Sequence, residues 1–197
     1  MAFKLSSALR PDDIRQQFRE HGFVHIPRVL PDEHARRIRK VMLDGTQWSL
    51  VLNDGEKHVD LSPAQLQLMN AGQAARLQQA VYNRAQSHFQ YLYDNYPVYD
   101  AFKAGLDKGH LLQQFYEWMN CAEFLEFART VTGFDDIAYA DAQATRFRPG
   151  HFLSRHDDSA VGKNRRAAYI FNFSLDWSAD WGGYLQLLDD QGHIRRG

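Results

Sequence analysis

The chain has 197 residues, 44% of them hydrophobic, which suffices for one compact domain with a substantial core. Its 23 basic and 24 acidic residues leave a formal charge of -1, so no global field draws it to nucleic acid or to an anionic membrane surface. One cysteine, Cys121, excludes an intrachain disulfide. No apolar run approaches the roughly 20 residues that span a bilayer, and the opening MAFKLSSALRPDD lacks the apolar stretch of a secretory signal, so a cytoplasmic location is expected.

In chain order, Pro11, Asp12 and Asp13 open a short helix with Ile14 and Phe18 on one face, and Gly22 stands where it should stop. Phe23 to Ile26 reads as a strand. Pro31, Asp32 and Glu33 start a second helix that turns Ile38, Val41 and Met42 inward, keeps Arg36, Arg37, Arg39 and Lys40 in water, and ends at Gly45. The stretch from Gly45 to Ser62, with Trp48 inside it, shows little pattern and reads as a surface loop, with a gating role over a cavity as the alternative.

From about Ala74, Leu77, Val81, Ala85, Phe89 and Leu92 recur three or four apart and predict the longest helix. Two more helices follow, one carrying Leu111, Leu112, Phe115 and Met119, the other Phe124, Leu125, Ala128 and Val131 before Gly133. Beyond Ile137 the texture changes to short aromatic runs broken by Pro149-Gly150, Gly182-Gly183 and the turn from Asp189 to Gly192, which predicts antiparallel sheet. Helices followed by strands point to an α+β fold.

The chemistry concentrates in TRFRPGHFLSRHDDSAVGKNRRAAYIFNFSLDWSADWGGYLQLLDD. In extended chain, residues two apart share a face, so His156 and Asp158 point together while Asp157 points away. An imidazole and a carboxylate on one face are the sequence-local part of a facial triad, in which a second histidine completes the set and the opposite face of iron(II) stays open for a chelating cosubstrate and oxygen. By itself an HxD tripeptide is more often an ordinary surface turn. Ala167 to Ser174 alternates Ala168, Ile170 and Asn172 against Tyr169, Phe171 and Phe173. In a barrel with helices outside, the aromatic face meets the helices and the smaller face lines the cavity. Asn172 then either meets a ligand or satisfies a backbone group at the strand end.

RPGHFLSRHDD, RRAAYIFNFS and DWSADWGGYLQLLDDQG, in that order, resemble the prolyl 4-hydroxylase-like branch of the 2-oxoglutarate oxygenases, and GFVHIPRVLPDEHARRIR looks like that superfamily's opening segment. The resemblance implies N-terminal helices packed on a double-stranded β-helix (jelly roll), with Fe(II), 2-oxoglutarate and O2, and with ascorbate as a supporting reductant. It implies hydroxylation of an unactivated C-H bond, with succinate and CO2 as co-products; a prolyl residue of a protein, a free amino acid and a small metabolite all stay open as substrate, and the branch favours a peptidyl one. His156 and Asp158 match the first two iron ligands. Ile170, Asn172 and Leu185 match inward positions beside the oxoglutarate, and Phe147 stands where relatives often carry a tyrosine, which changes the hydrogen bonding to the cosubstrate.

The family places its second histidine and a basic anchor for the oxoglutarate on later strands. His193, in or just after the Asp189 to Gly192 turn, is the only histidine after His156 and is expected to be exposed, as are Arg195 and Arg196. A jelly roll needs about eight strands. Those after Ile137 supply roughly half, so the expectation is a single domain over 1–197, with helical support over 1–134 and the first strands of a C-terminally truncated barrel over 135–197. Two other readings stand beside the enzyme: a non-catalytic binding or scaffold module with a vestigial metal site, and a zinc hydrolase built on His156, Asp157 and Asp158.

Overall fold

A computed structural model describes residues 2–158 and 164–196. Its helices and antiparallel sheets make it an α+β protein. In order, the elements are α1 (Pro11–His21), α2 (Asp32–Asp44), β1 (Ser49–Asp54), β2 (Lys57–Leu61), α3 (Pro63–Leu68), α4 (Ala71–Ala85), β3 (Tyr91–Tyr96), α5 (Val98–Lys103), α6 (Leu111–Met119), α7 (Ala122–Thr132), β4 (Ala144–Arg146), β5 (Phe152–Leu153), β6 (Leu187–Leu188) and β7 (Ile194–Arg196). The main sheet runs β2-β1-β3-β4, and β5 joins the same edge of β3 as β4; β6 and β7 form a separate hairpin.

The helices follow their local signals. Pro11 opens α1, acidic residues occupy the first turns of α1 and α2, and Gly22 and Gly133 close α1 and α7, so that charge and chain geometry both suit the helix ends. The start of α4 lies earlier than the apolar spacing predicts because Asn70 and Gln73 form a capping box. The helix then stops at Ala85 rather than running through Phe89 and Leu92. Those two residues keep helical spacing by coincidence: Tyr91–Tyr96 alternates with period two, and Leu92 pairs across the sheet with Leu52 and Phe152.

The stretch expected as a loop between Gly45 and Ser62 is the β1-β2 hairpin, with Asp54 opposite Lys57. Two residues turn the chain there, and Gly55 supplies the positive φ of 66° that such a tight connection demands. Trp48 is buried in the core just ahead of it. Phe23 to Ile26, expected as a strand, is part of neither described sheet. The first two-thirds of the chain therefore holds three strands among its helices.

Helices α2, α4, α6 and α7 pack on the face of the main sheet that carries Leu52, Leu92 and Tyr96. Leu52, Val81 and Leu92 join α4 to the sheet, while Ile38, Trp48, Tyr96, Phe115, Trp118 and Phe124 form the larger core with α2, α6 and α7. Ile38 is fully enclosed, a burial that stabilises by about 2–3 kcal/mol.

Between β4 and β5 the chain makes an excursion through Pro149-Gly150 and returns to the edge it left, so that Arg146 stands opposite Asp94 and Phe152 opposite Leu92. The Tyr82 hydroxyl on α4 donates to the Gly150 carbonyl at 2.8 Å. A Cβ at Gly150 would lie 2.6 Å from that hydroxyl oxygen, and φ there is 85°, so both space and backbone require glycine.

Residues 164–178 form no strand ladder, although the alternation expected between 167 and 174 is present. Phe171 and Phe173 pack on Phe115 with ring centroids 5.2 and 6.0 Å apart, and Tyr169 and Phe171 meet Phe124 on α7. Ala168, Ile170 and Asn172 are exposed. Alternation alone thus oriented the side chains, whereas a strand also needs a neighbour to accept its hydrogen bonds. Among the described residues no helix is long and apolar enough to cross a membrane.

Candidate metal centre

The segment that carries His156 is fastened to the sheet by buried polar groups. Asn53, at the end of β1, accepts from the Tyr91 backbone N–H at 3.1 Å and donates to the carbonyls of Phe89 and Gly55, both at 3.0 Å. Gln90 is wholly buried and donates to the Asn53 carbonyl at 2.7 Å. Its backbone N–H donates to the Ser154 hydroxyl at 2.9 Å, and the Ser154 N–H donates back to the Gln90 carbonyl at 3.0 Å. Buried polar groups are costly unless paired, so this set holds one geometry. It fixes Ser154 two residues ahead of His156.

The Ser154 carbonyl lies 3.0 Å from Nδ1 of His156. A proton on Nδ1 donated to that carbonyl leaves the Nε2 lone pair outward, the arrangement usual for an imidazole that binds a metal. Nε2 is 3.7 Å from Oδ1 of Asp158. Two cis ligands, each about 2.1 Å from one ion, are about 3 Å apart, so a small side-chain rotation brings these donors to a shared ion. Both side chains reach solvent, and the Phe89 ring flanks His156 at 6.2 Å. Behind the pair, Arg165 donates to the Asp158 carbonyl at 3.1 Å and reaches Asp141 at 3.3 Å.

Among the described residues no group of three or more His, Cys, Asp or Glu is gathered, so the pair has no third ligand of that kind beside it. His193 sits at the β6-β7 turn, with Nδ1 3.4 Å from Asp189 and its side chain largely in solvent. That turn nevertheless approaches the segment ahead of His156: a Cβ at Gly192 would lie 2.6 Å from the Arg155 guanidinium. His151 is partly buried, with Nδ1 3.4 Å from the Arg146 carbonyl and a pKa lowered by that burial. His21 and His25 stay apart from the pair in sequence and, among the described residues, join no metal-type cluster.

Ile170 and Leu185 are 70% and 61% exposed. Asn172 accepts from the Ser174 backbone N–H at 2.8 Å through Oδ1, and among the described residues no hydrogen bond from its NH2 group is found. Phe147 projects from the end of β4 over Tyr93, at a ring distance of 5.3 Å. Its neighbours Arg146 and Arg148 point to the opposite, helix-covered face, where each places its Nε 2.8 Å from one oxygen of the buried Asp94. Arg146 also lies over the Trp48 ring at 4.9 Å.

Sequence reasoning singled out the two donors and missed Asn53, Gln90 and Ser154, which set their geometry. Nothing in the local pattern marks those three. Their role exists only once β3 is placed beside β1 and β5.

Compared with known proteins, residues 142–196 match the model of the 2OG-Fe(II) oxygenase superfamily. No curated protein and no solved structure gives a significant match. The matched stretch contains both donors and the extended aromatic segment, and it supports an oxygenase-type function that uses Fe(II), 2-oxoglutarate and O2.

Proposed function

We propose that this chain acts as an Fe(II)- and 2-oxoglutarate-dependent dioxygenase of the prolyl 4-hydroxylase-like branch, built on a double-stranded β-helix, with His156 and Asp158 as two iron ligands. The observation that carries the reading is the approach of Nε2 and Oδ1 to 3.7 Å within the stretch that resembles the superfamily. When bound, iron with 2-oxoglutarate and O2 supplies the oxidising power to hydroxylate an unactivated C-H bond, with succinate and CO2 as co-products. A prolyl residue of a protein is the proposed substrate.

The protein's own groups do the positioning. The Ser154 carbonyl holds the imidazole in the tautomer that presents Nε2. Asp158 contributes the negative charge that favours a divalent cation. Ile170 and Leu185 supply an apolar wall beside the cosubstrate, and the NH2 group of Asn172 donates to its carboxylate. Phe147 has no hydroxyl to offer, so a hydrogen bond that a tyrosine would make there must come from elsewhere or go unmade.

The reading needs a third ligand, and no described residue of this type stands beside the pair. That observation favours a second reading, in which the fold serves as a non-catalytic binding module with a vestigial metal site. Two measurements separate them. Succinate formation from labelled 2-oxoglutarate, with Fe(II) and ascorbate, is expected to disappear in His156→Ala and Asp158→Ala. Cobalt(II) titration followed by visible absorption is expected to show a site in the parent chain and none in either variant. Absence of both turnover and cobalt binding in the parent chain would sink the oxygenase reading and leave the binding module.

A further inference from the structure

A cation stands against the residue that carries the candidate carboxylate ligand. Arg165 donates from Nη1 to the Asp158 carbonyl at 3.1 Å and from Nη2 to the Asp141 carboxylate at 3.3 Å. The other charged groups close by in sequence are engaged. Arg166 holds Asp136, with Nε 2.9 Å from Oδ2, and the Arg155 guanidinium lies against Gly192 on the β6-β7 turn. Asp157, between the two donors, has an interaction of its own.

Asp141 is tied to the helices through its backbone. Its carbonyl accepts the Tyr169 hydroxyl, and the next carbonyl, that of Ala142, accepts the Tyr99 backbone N–H on α5 at 2.9 Å. The Tyr169 ring meets Phe124 on α7 with centroids 6.5 Å apart. Burial, with the negative charge of Asp141, raises the pKa of the Tyr169 phenol far above its ordinary range, so the hydroxyl stays a donor. Asp141 therefore presents its charge to Arg165 from an anchored position.

As a contribution to folding the Arg165–Asp141 pair counts for little, because the two side chains are 39% and 34% exposed and water screens them. Its consequence lies in where it leaves the guanidinium. A guanidinium is the planar partner that a carboxylate binds best, and Arg165 already reaches the backbone of Asp158. Released from Asp141, it needs only a side-chain rotation to pair with the Asp158 carboxylate and occupy the oxygens a metal requires. An unneutralised positive charge there would also repel a divalent cation. With Asp141 in place the guanidinium is neutralised and drawn aside, and Oδ1 of Asp158 faces Nε2 of His156 at 3.7 Å.

We infer that Asp141 is a positioning residue of the candidate metal centre: it holds Arg165 off the Asp158 carboxylate and so keeps that carboxylate open to a divalent cation. The inference rests on the oxygenase reading for the identity of the site. What it asks of Asp141 is a negative charge at that place.

The test measures the affinity of the full chain for cobalt(II) by titration calorimetry, without oxoglutarate and without turnover. Asp141→Asn keeps the size and removes the charge, and is expected to weaken binding about fivefold. Asp141→Glu restores the charge and is expected to stay within about twofold of the parent chain. Arg165→Met removes the competing cation. Added to Asp141→Asn, it is expected to recover most of the lost affinity, so that the double variant binds more tightly than Asp141→Asn alone. A residue that only supported the fold would give the reverse, with losses that add. Parent-like affinity in Asp141→Asn, an equal loss in Asp141→Glu, or a double variant no tighter than Asp141→Asn would each overturn the inference and leave the metal site standing. Absence of cobalt binding by the parent chain would overturn the oxygenase reading and this inference together.

Discussion

Two regions of this chain show the same period-two alternation and meet opposite fates. In β1 and β3 alternate residues face helices on one side, and each strand pairs with neighbours on both edges. Between 167 and 174 the aromatic residues also lie on helices, yet that segment has no ladder, and Ile170 on its other side stands 70% exposed. Alternation therefore reports which side of a segment is apolar, and pairing reports whether another strand is there to receive it.

The largest expected difference between the regions is in amide exchange. Backbone amides of Val51, Leu52, Leu92 and Tyr93 should exchange at least about a thousandfold more slowly than those of 167–174, because opening the paired sheet requires near-global unfolding. Hydrogen-deuterium exchange read by mass spectrometry checks this, and equal protection would remove the contrast. Next in size is a pair of substitutions one residue apart. Phe171→Ala, which strips a ring from Phe115 and Phe124, should cost about 3 kcal/mol, whereas Ile170→Ala should stay within about 0.5 kcal/mol. Urea unfolding midpoints decide it, and similar losses would mean that both sides of the segment are packed.

Asp94→Asn sharpens the comparison from the paired side. It removes the carboxylate that receives both Arg146 and Arg148, and a loss of about 2 kcal/mol is expected in the same unfolding experiment, moderated because both arginines can turn to water. The smallest effect is that of pH. Burial lowers the pKa of His34 and of His151 below 6.5. Above pH 6.5 both are neutral, folded or unfolded. Below it the unfolded chain takes up protons that the folded chain refuses, so stability falls as the solution is acidified and levels off once the folded histidines titrate. Melting temperature followed from pH 7.5 to 5 should decline, and His34→Gln should flatten the decline.

The site divides in the same way as the fold. Spacing alone placed His156 and Asp158 on one face, because two residues of extended chain repeat a direction wherever the chain lies. Their support was out of reach of spacing. Ser154 is held by Gln90, Gln90 by Asn53, and those three residues are far apart in sequence. Likewise Phe89 looked like the continuation of a helix until β3 placed it beside His156.

By itself the sequence determined the helix starts and stops at Pro11, Gly22 and Gly133, the apolar and polar sides of 167–174, and the donor pair of the proposed metal site. These depend on capping, charge and residue period, which act over a few neighbours. Only the tertiary structure decided that Tyr91–Tyr96 is a strand, that Gly45 to Ser62 holds a hairpin, that the Asn53-Gln90-Ser154 network orients His156, and that the rings of Phe89, Tyr91, Tyr93 and Phe147 line up in one row. Each of those rests on pairing between distant segments, where the free energy comes from shared hydrogen bonds and joint burial that no local stretch can supply alone.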